Sequence, residues 1–480
     1  MKNTFLILFF IPLLVFGQQS REYVTKYSND IKIVGNNPQW DWVTKVVKTG
    51  TITPNAYANT IVDSFGNTYI TNYVLTNHDI DVYLAKFNNK GEMKWEILMG
   101  GQGRDSGHDL AFDNQGNVWI VGYFTESAKF GAITLIGDNK YNMFLAKVDT
   151  NGVCKNAFKV ASDNSGFSYS NGTIGNGQLG GFSIFITNSN EIILSGEFEN
   201  KLSFGKIHLT SNRKRSTFFA KFNSLGICNW GTIGHSSNWC YSSIVHYSKN
   251  GDLFFQSTCA DTLFVGDKSL SNTNNHDSDM LMAKIDSSGN CEWIKRISYT
   301  STLDKSNTSS NLKDNELFYV HASPDNFKKL NAQYVDKGNR IWLTEINTQG
   351  ELMRNLPLGN NSNEGEGVIW GFTLDSEKNI YVIGTFNGDA YFGDTKLSTK
   401  ENTRGTGFVA KYRFDGKCEW AKVINCDGKI IWLRSVKVIE NKLFLSGNYQ
   451  IRADFDNLII ETNEHNINVN EIFLSKLNLN

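Results

Sequence analysis

Apolar and polar residues alternate over short runs along most of the chain, and the runs are rich in Val, Ile, Phe, Tyr and Trp. That two-residue period predicts β-strands. Turn signals separate the runs at regular intervals. The stretch 111–159 shows the unit most clearly. It reads Asp113-x-x-Gly116-Asn117-x-Trp119-x-x-Gly122, then Phe130-Gly131, then Phe144-Leu145-Ala146-Lys147, then Asp149-x-x-Gly152-x-Cys154. Versions of it recur from one end of the chain to the other, which is the signature of a solenoid or a propeller.

The run ending in Ala-Lys counts the copies. It appears at Ala85, Ala146, Ala220, Ala283 and Ala410, with worn copies at Thr344 and Ser475. The steps between these positions are 61, 74, 63, 61, 66 and 65 residues, so there are seven units. A hairpin signal precedes each one, as in Asp63-x-x-Gly66-Asn67 and Asp375-x-x-Lys378-Asn379, and shrinks to Asp314-Asn315 and Glu440-Asn441 in two units. A glycine there supplies positive φ and the aspartate caps the turn amides. A Gly-x-x-x-Trp element follows, at Gly91 and Trp95, Gly226 and Trp230, Gly289 and Trp293, and Gly416 and Trp420. Each unit therefore predicts four strands: two hairpin arms, the Ala-Lys strand and the Trp strand.

The seventh Trp strand is missing at the C-terminus. A matching piece, Trp40-Asp41-Trp42-Val43-Thr44-Lys45-Val46, stands alone near the N-terminus. An open solenoid gives no reason for that displacement, whereas a ring does. If 38–48 pairs with the strand near Leu474, the chain ends lock and no edge remains at the seam. The expected fold is all-β: a seven-bladed β-propeller of four-stranded blades, closed by an N-terminal strand that completes the last blade. A linear β-solenoid is the alternative.

On these motifs the chain resembles the bacterial β-propeller repeat family known as SBBP, whose units read roughly D-x-x-G-N-x-Y-x-x-G, then F-x-A-K-x-D-x-x-G. The resemblance covers nearly all of the chain after residue 38. It implies a propeller and an exported bacterial protein, and it assigns no activity. The unit at 298–354 departs most from the pattern.

Residues 1–17 carry Lys2, an apolar run from Phe5 to Phe16 and a small Gly17. They predict a secretory signal peptide, with an uncleaved anchor as the alternative. Residues 18–37 form a polar lead-in, and 38–480 are expected as one propeller domain. The run is short for a membrane span, so no transmembrane segment is expected after cleavage. Cleavage moves the net charge from −1 to −2, because Lys2 is the only charged residue removed. That balance argues against a nucleic-acid partner. The protein is expected to be exported, to the periplasm, the cell surface or the medium, and to be monomeric.

Seven cysteines remain. Cys154, Cys228, Cys291 and Cys418 hold equivalent places in different units, too far apart for mutual disulfides, and are expected as buried packing residues. Cys240 and Cys259 are the disulfide candidate. With the turn at 248–251, Tyr247 should face Asp252, and both pairs sum to the same register number, so the two cysteines should lie opposite each other. A bulge would break that register. Cys426 is left over.

No Cys/His cluster has zinc spacing, and each Asp-x-x-Gly-Asn turn offers too few oxygens for calcium. No cofactor or metal is therefore expected. No Gly-x-Ser-x-Gly elbow or phosphate loop occurs either. A non-catalytic chain that binds an unknown glycan or protein through its loop face is expected ahead of an enzyme. The alternatives are an enzyme acting on an extracellular polymer at the channel mouth, and a structural spacer. Variable connections on a rigid scaffold are where binding residues gather. The segments between Trp strands and the next hairpins, 160–180, 231–240, 298–313, 358–370 and 426–432, together with the equivalent place of the second unit, where Arg104, Asp105 and His108 stand, single out Arg104, His108, Trp239, Trp370 and Trp432 as ligand contacts. His235 stands in one of these segments, and His321 replaces the repeat glycine found at Gly122, Gly196, Gly384 and Gly447.

Overall fold

The computed structural model describes residues 38–46, 58–75, 80–137, 141–161, 182–198, 200–212, 216–236, 240–248, 251–259, 261–271, 279–299, 308–313, 316–323, 340–361, 367–399, 405–427, 431–462 and 470–479. Residues 1–37, and with them the expected signal peptide and lead-in, lie outside the described residues. So do the turn at 314–315 and most of 160–180. The described chain is all-β, and every strand pairing is antiparallel. Seven sheets have four or more strands, and Lys201–Phe204 with Ile207–Thr210 forms a separate pair. The second sheet shows the plan. Ser106–Phe112, Val118–Phe124, Asn142–Val148 and Cys154–Lys159 lie side by side in chain order.

Both faces of the middle strands are apolar because each sheet is covered on both sides. Tyr69, Val82 and Leu84 of the first sheet cluster with Leu110, Val118, Ile120 and Phe144 of the second. Ile70, Tyr83 and Ala85, on the first sheet's other face, cluster with Ile472 and Leu474 of the last strand. Similar clusters join the second sheet to the third, the third to the fourth, and so on to the seventh. Side chains that fill such interfaces each contribute about 1.5–3 kcal/mol. Polar contacts also cross the interfaces. Asn59 Nδ2 donates to the His108 carbonyl, the Asp109 carboxylate accepts from Ser183 Oγ and Ile184 N at 3.0 Å, and Thr60 Oγ1 meets Ser446 Oγ at 3.1 Å.

The strand Gln39–Lys45 pairs with Glu471–Asn478, setting Lys45 opposite Phe473 and Trp42 opposite Lys476. Trp42 then packs on the turn that follows the Ala-Lys strand of the first sheet. A Cβ on Gly91 would lie 2.7 Å from its ring, and the indole Nε1 donates to Asn89 O at 3.0 Å. Trp95 makes the same two contacts with Gly152 and Thr150 O, and Trp230 makes them with Gly289 and Ser287 O. The N-terminal strand thus contacts the first sheet as the strands of Trp95 and Trp230 contact their neighbours.

The structure adds an element that the four-strand reading lacked. Between the second and third strands of five units lies a short hairpin, such as Ser127–Phe130 with Ile133–Ile136 or Arg452–Phe455 with Leu458–Glu461. Four of these hairpins extend the preceding sheet, raising it to six strands or flanking its last strand. The Phe-Gly marker belongs to them. Phe130, Phe204, Phe392 and Phe455 are buried and pack against Phe144, Phe218, Phe408 and Phe473, with centroids 4.6–5.3 Å apart. Each of those partners lies directly across from a repeat glycine: Gly122, Gly196, Gly384 or Gly447.

Three expectations need correction. Cys291 is buried, but Cys154, Cys228 and Cys418 are only half-buried, with thiols directed at the carbonyl two residues on. Secondly, several segments read as loops are strand: Cys228–Ser236 includes His235, and Cys291–Tyr299 with Thr308–Lys313 takes in much of 298–313. The accessory hairpins supply the pairing partners, so His235 lies opposite Phe264 and stacks on it at 5.0 Å. Thirdly, Tyr247 faces Leu253 and not Asp252, because the turn closes between Ser248 and Asp252. A bulge at Ser243 then shifts the register back, and Cys240 lies opposite Cys259. Cys259 is buried and disulfide-bonded, whereas Cys154, Cys228, Cys291, Cys418 and Cys426 are free.

A Cβ on Gly447 would sit 2.4 Å from Trp432 O and 2.7 Å from the Phe473 ring, but one on Gly371 would meet nothing closer than 3.6 Å. Gly447→Ala should therefore destabilise the protein by about 1–3 kcal/mol. Gly371→Ala should cost clearly less, because its Cβ would make only ordinary van der Waals contacts. Urea denaturation of the two variants checks this, and equal midpoints would contradict the packing described.

Candidate functional site

The first strand of four sheets carries a β-bulge at one corresponding place. The register skips His108 between Gly107 and Asp109, Ser243 between Ser242 and Ile244, Trp370 between Ile369 and Gly371, and Arg434 between Leu433 and Ser435. The residue before each skip lies opposite Gly122, Ser257, Gly384 or Gly447, the repeat glycine or its substitute. Where His321 replaces that glycine, it pairs regularly with Thr308 and no bulge forms. At Gly122 the bulged strand comes so close that a Cβ would lie 2.0 Å from Ser106 O, whereas the fourth sheet accommodates Ser257 at the same place. A bulge leaves one residue unpaired and re-aims its side chain.

Among the described side chains, His108, Trp370 and Arg434 meet a counterpart in a neighbouring sheet. His108 lies 5.4 Å from Phe182, which holds the same place ahead of its own turn, and Arg434 lies 5.6 Å from the Trp370 ring. Two clusters form on this belt.

The first surrounds His108. Its ring meets Tyr123 edge-on at 5.3 Å, and Tyr123 meets Tyr141 at 4.8 Å. Burial lowers the His108 pKa to about 4, so the imidazole is neutral at pH 7. Burial, aided by Tyr141, holds the Tyr123 phenol well above its usual value, while the Arg104 charge pulls the other way. Arg104 is exposed on the turn before Ser106–Phe112, its amide donating to Thr125 Oγ1 at 2.6 Å. Next to it, the buried Asp105 carboxylate accepts from Gly101 N at 2.8 Å and Thr125 N at 3.2 Å. A neutral imidazole thus meets a protonated phenol edge-on, with the Arg104 cation acting on the phenol.

The second cluster is Trp370, Arg434 and Trp432. The Arg434 guanidinium lies 5.6 Å and 5.9 Å from the two indole centroids, and its Nε donates to Asn448 Oδ1 at 3.3 Å. Trp370 Nε1 donates to Thr385 Oγ1 at 3.1 Å. All three side chains are half-buried.

Of the residues singled out in the sequence, the structure brings Arg104 close to the His108 cluster and joins Trp370 to Trp432. Trp239 lies outside the described residues. Tyr123, Tyr141 and Arg434 were missed, because each falls within or beside an ordinary strand run. The available signal for Arg434 was a large charged residue just after Leu433, which lies opposite the repeat glycine Gly447. The turn aspartates are occupied with backbone: Asp113 Oδ1 accepts from Gln115 N and Asn117 N at 2.9 Å, and Asp375 Oδ1 does the same for its turn.

These environments set a pH dependence. Burial lowers His108 and His246 to about 4 from an ordinary value near 6.5, so unfolding takes up protons between those limits and acid favours the unfolded chain. Asp109 is raised by burial to about 6 and acts in the opposite sense over its own range. With two histidines against one aspartate, Tm should fall as pH drops from 7 to 4.5. His246→Phe should flatten that fall and Asp109→Asn should steepen it. Calorimetric scans across the range check this, and parallel curves for all three proteins would contradict it.

No family model matches this chain, and no curated protein matches it. Among solved structures, the polysaccharide lyase Uly1 aligns over 96% of this chain and 94% of its own, at 13% identity and a TM-score of 0.44. The β-propeller domain of the Trilobed protease from Pyrococcus furiosus, of open velcro topology, covers 87% of this chain and 98% of its own, at 8% identity and TM-score 0.42. The endosialidase of phage phi92 covers 92% and 70%, at 11% identity and TM-score 0.40. The chain is thus an all-β protein of many antiparallel sheets with propeller-like neighbours. The expectation of a non-catalytic chain is corrected here, since these neighbours include a lyase and a sialidase. No linear motif joins His108, Tyr123 and Arg104, because they come from separate strands and turns.

Proposed function

We propose that this chain is a seven-bladed β-propeller of the SBBP-like kind, closed by its N-terminal strand, and that it acts on an acidic extracellular glycan. The seven intersheet clusters, one of which joins the first sheet to the last strand, support the ring. The apolar leader supports export.

The observation that carries the activity is the bulge that takes His108 out of register and sets it against Tyr123. His108 is the base: it is unprotonated at pH 7, and the negative charge of a bound acidic sugar would raise its proton affinity from the depressed value that burial sets, so that it can accept a proton from a substrate carbon or from water. Tyr123 keeps its proton and can deliver it to a leaving oxygen. Arg104 faces the negative charge of an acidic sugar. A proton taken beside a carboxylate and returned to the glycosidic oxygen cleaves the chain by elimination. If the proton is taken from water, the same pair serves hydrolysis.

The mature chain should cleave at least one acidic polysaccharide from a panel of uronate and sulfate polymers. Elimination is read by ultraviolet absorbance of the new double bond, hydrolysis by reducing ends. His108→Ala and Tyr123→Phe should each lower kcat/KM by about 10²–10⁴-fold, and Arg104→Ala should raise KM more than it lowers kcat. Turnover unchanged in His108→Ala, or none on any polymer, would overturn the proposal.

A further inference from the structure

We propose that Trp370, Arg434 and Trp432 form a binding subsite for an anionic sugar residue, separate from His108 and Tyr123. The proposal rests on the glycan reading above and extends it to where part of the polymer is held.

Three observations build the site. Two neighbouring sheets carry their bulge at the same place, and the bulged residues are Trp370 and Arg434. The two side chains therefore project from adjoining first strands toward one another, while Trp432 enters from the start of Trp432–Ile439. The guanidinium then lies over both indoles, at 5.6 Å and 5.9 Å. Its orientation is fixed by Asn448 Oδ1, and that of Trp370 by Thr385 Oγ1. Finally, the three side chains remain half-exposed, although their neighbours Ile369, Ile431 and Leu433 are buried.

The chemistry of this set selects its ligand. Arginine binds carboxylate and sulfate through the edge of its plane, and stacking on aromatic faces leaves that edge as the direction of recognition. An indole offers a flat apolar face to the C–H side of a pyranose. A ring with both demands is a uronate or a sulfated sugar. Stacking also holds the charge within about 6 Å of the ring centroids, the range where cation–π attraction applies. Trp370 also packs against the cluster between the sixth and seventh sheets, so the part of its indole left half-exposed is what a sugar would meet.

The test uses the full mature chain and its tryptophan emission. Oligosaccharides of polygalacturonate, alginate, chondroitin sulfate and heparin are titrated in, each beside a neutral counterpart made by carboxyl reduction or desulfation. At least one acidic ligand should change the emission with an affinity ten or more times that of its neutral counterpart. Comparing the carboxyl-reduced and desulfated forms identifies the anion that matters. Arg434→Gln should weaken that binding at least tenfold with Tm little changed, and Trp432→Ala should weaken it as well. If Arg434→Gln unfolds, Arg434→Lys keeps the charge but not the planar fork, and it should fold and still bind more weakly.

Equal binding of acidic and neutral sugars throughout, or full affinity in both arginine variants, overturns the subsite. The outcome is distinguishable from the fate of the catalytic reading. His108→Ala should lose turnover and keep this binding. Binding kept in His108→Ala with no turnover in any variant leaves the subsite standing and removes the catalysis.

Discussion

In four sheets a phenylalanine on the third strand lies across from a glycine on the second, and between sheets an indole lies over the glycine of the neighbouring turn. Both contacts place a large ring where any other residue would put a Cβ. The first lets the accessory hairpin tuck its own phenylalanine against the sheet. The second fixes how closely successive sheets approach. Together they explain why a chain with few prolines needs so many glycines. They also fit the apolar character of both faces of the middle strands.

The same glycine leads to the site. Its missing side chain lets the first strand come within 2.0–2.4 Å of where a Cβ would stand, at Gly122 and Gly447. The first strand bulges there, and the bulge decides which residue leaves the alternation. In the second sheet that residue is His108, whose imidazole is kept neutral by the packing around it. In the sixth and seventh sheets it is Trp370 and Arg434, which meet. A packing device repeated for stability thus presents different chemistry in different units, as expected when function is grafted onto a scaffold.

Much of the fold was legible in the sequence, since it depends on local signals. Strand alternation, turn aspartates and the displaced Trp40 to Val46 piece are each readable one unit at a time. The accessory hairpins were less so: their strands are only three or four residues long, and Phe130-Gly131 reads as a turn without its pairing partner. Register was the harder matter. A bulge at Ser243 offsets the turn at Ser248, so two departures cancel and Cys240 still faces Cys259. Of the site, His108, Trp370 and Trp432 were legible from their place ahead of the hairpins. Tyr123 and Arg434 were not, because only a contact between strands or between sheets sets them apart.

The account depends most on the first and last sheets being neighbours, as the contact between Thr60 Oγ1 and Ser446 Oγ at 3.1 Å places them. Cysteines at these two positions would put sulfurs within reach of a bond. The direct measurement is oxidation of the mature chain carrying both Thr60→Cys and Ser446→Cys, followed by non-reducing peptide mapping and a thermal melt. The account predicts an intramolecular disulfide between the two introduced cysteines in the monomer, with Tm equal to or above that of the parent. A folded monomer in which both thiols stay free, or one that links only between molecules, would contradict it.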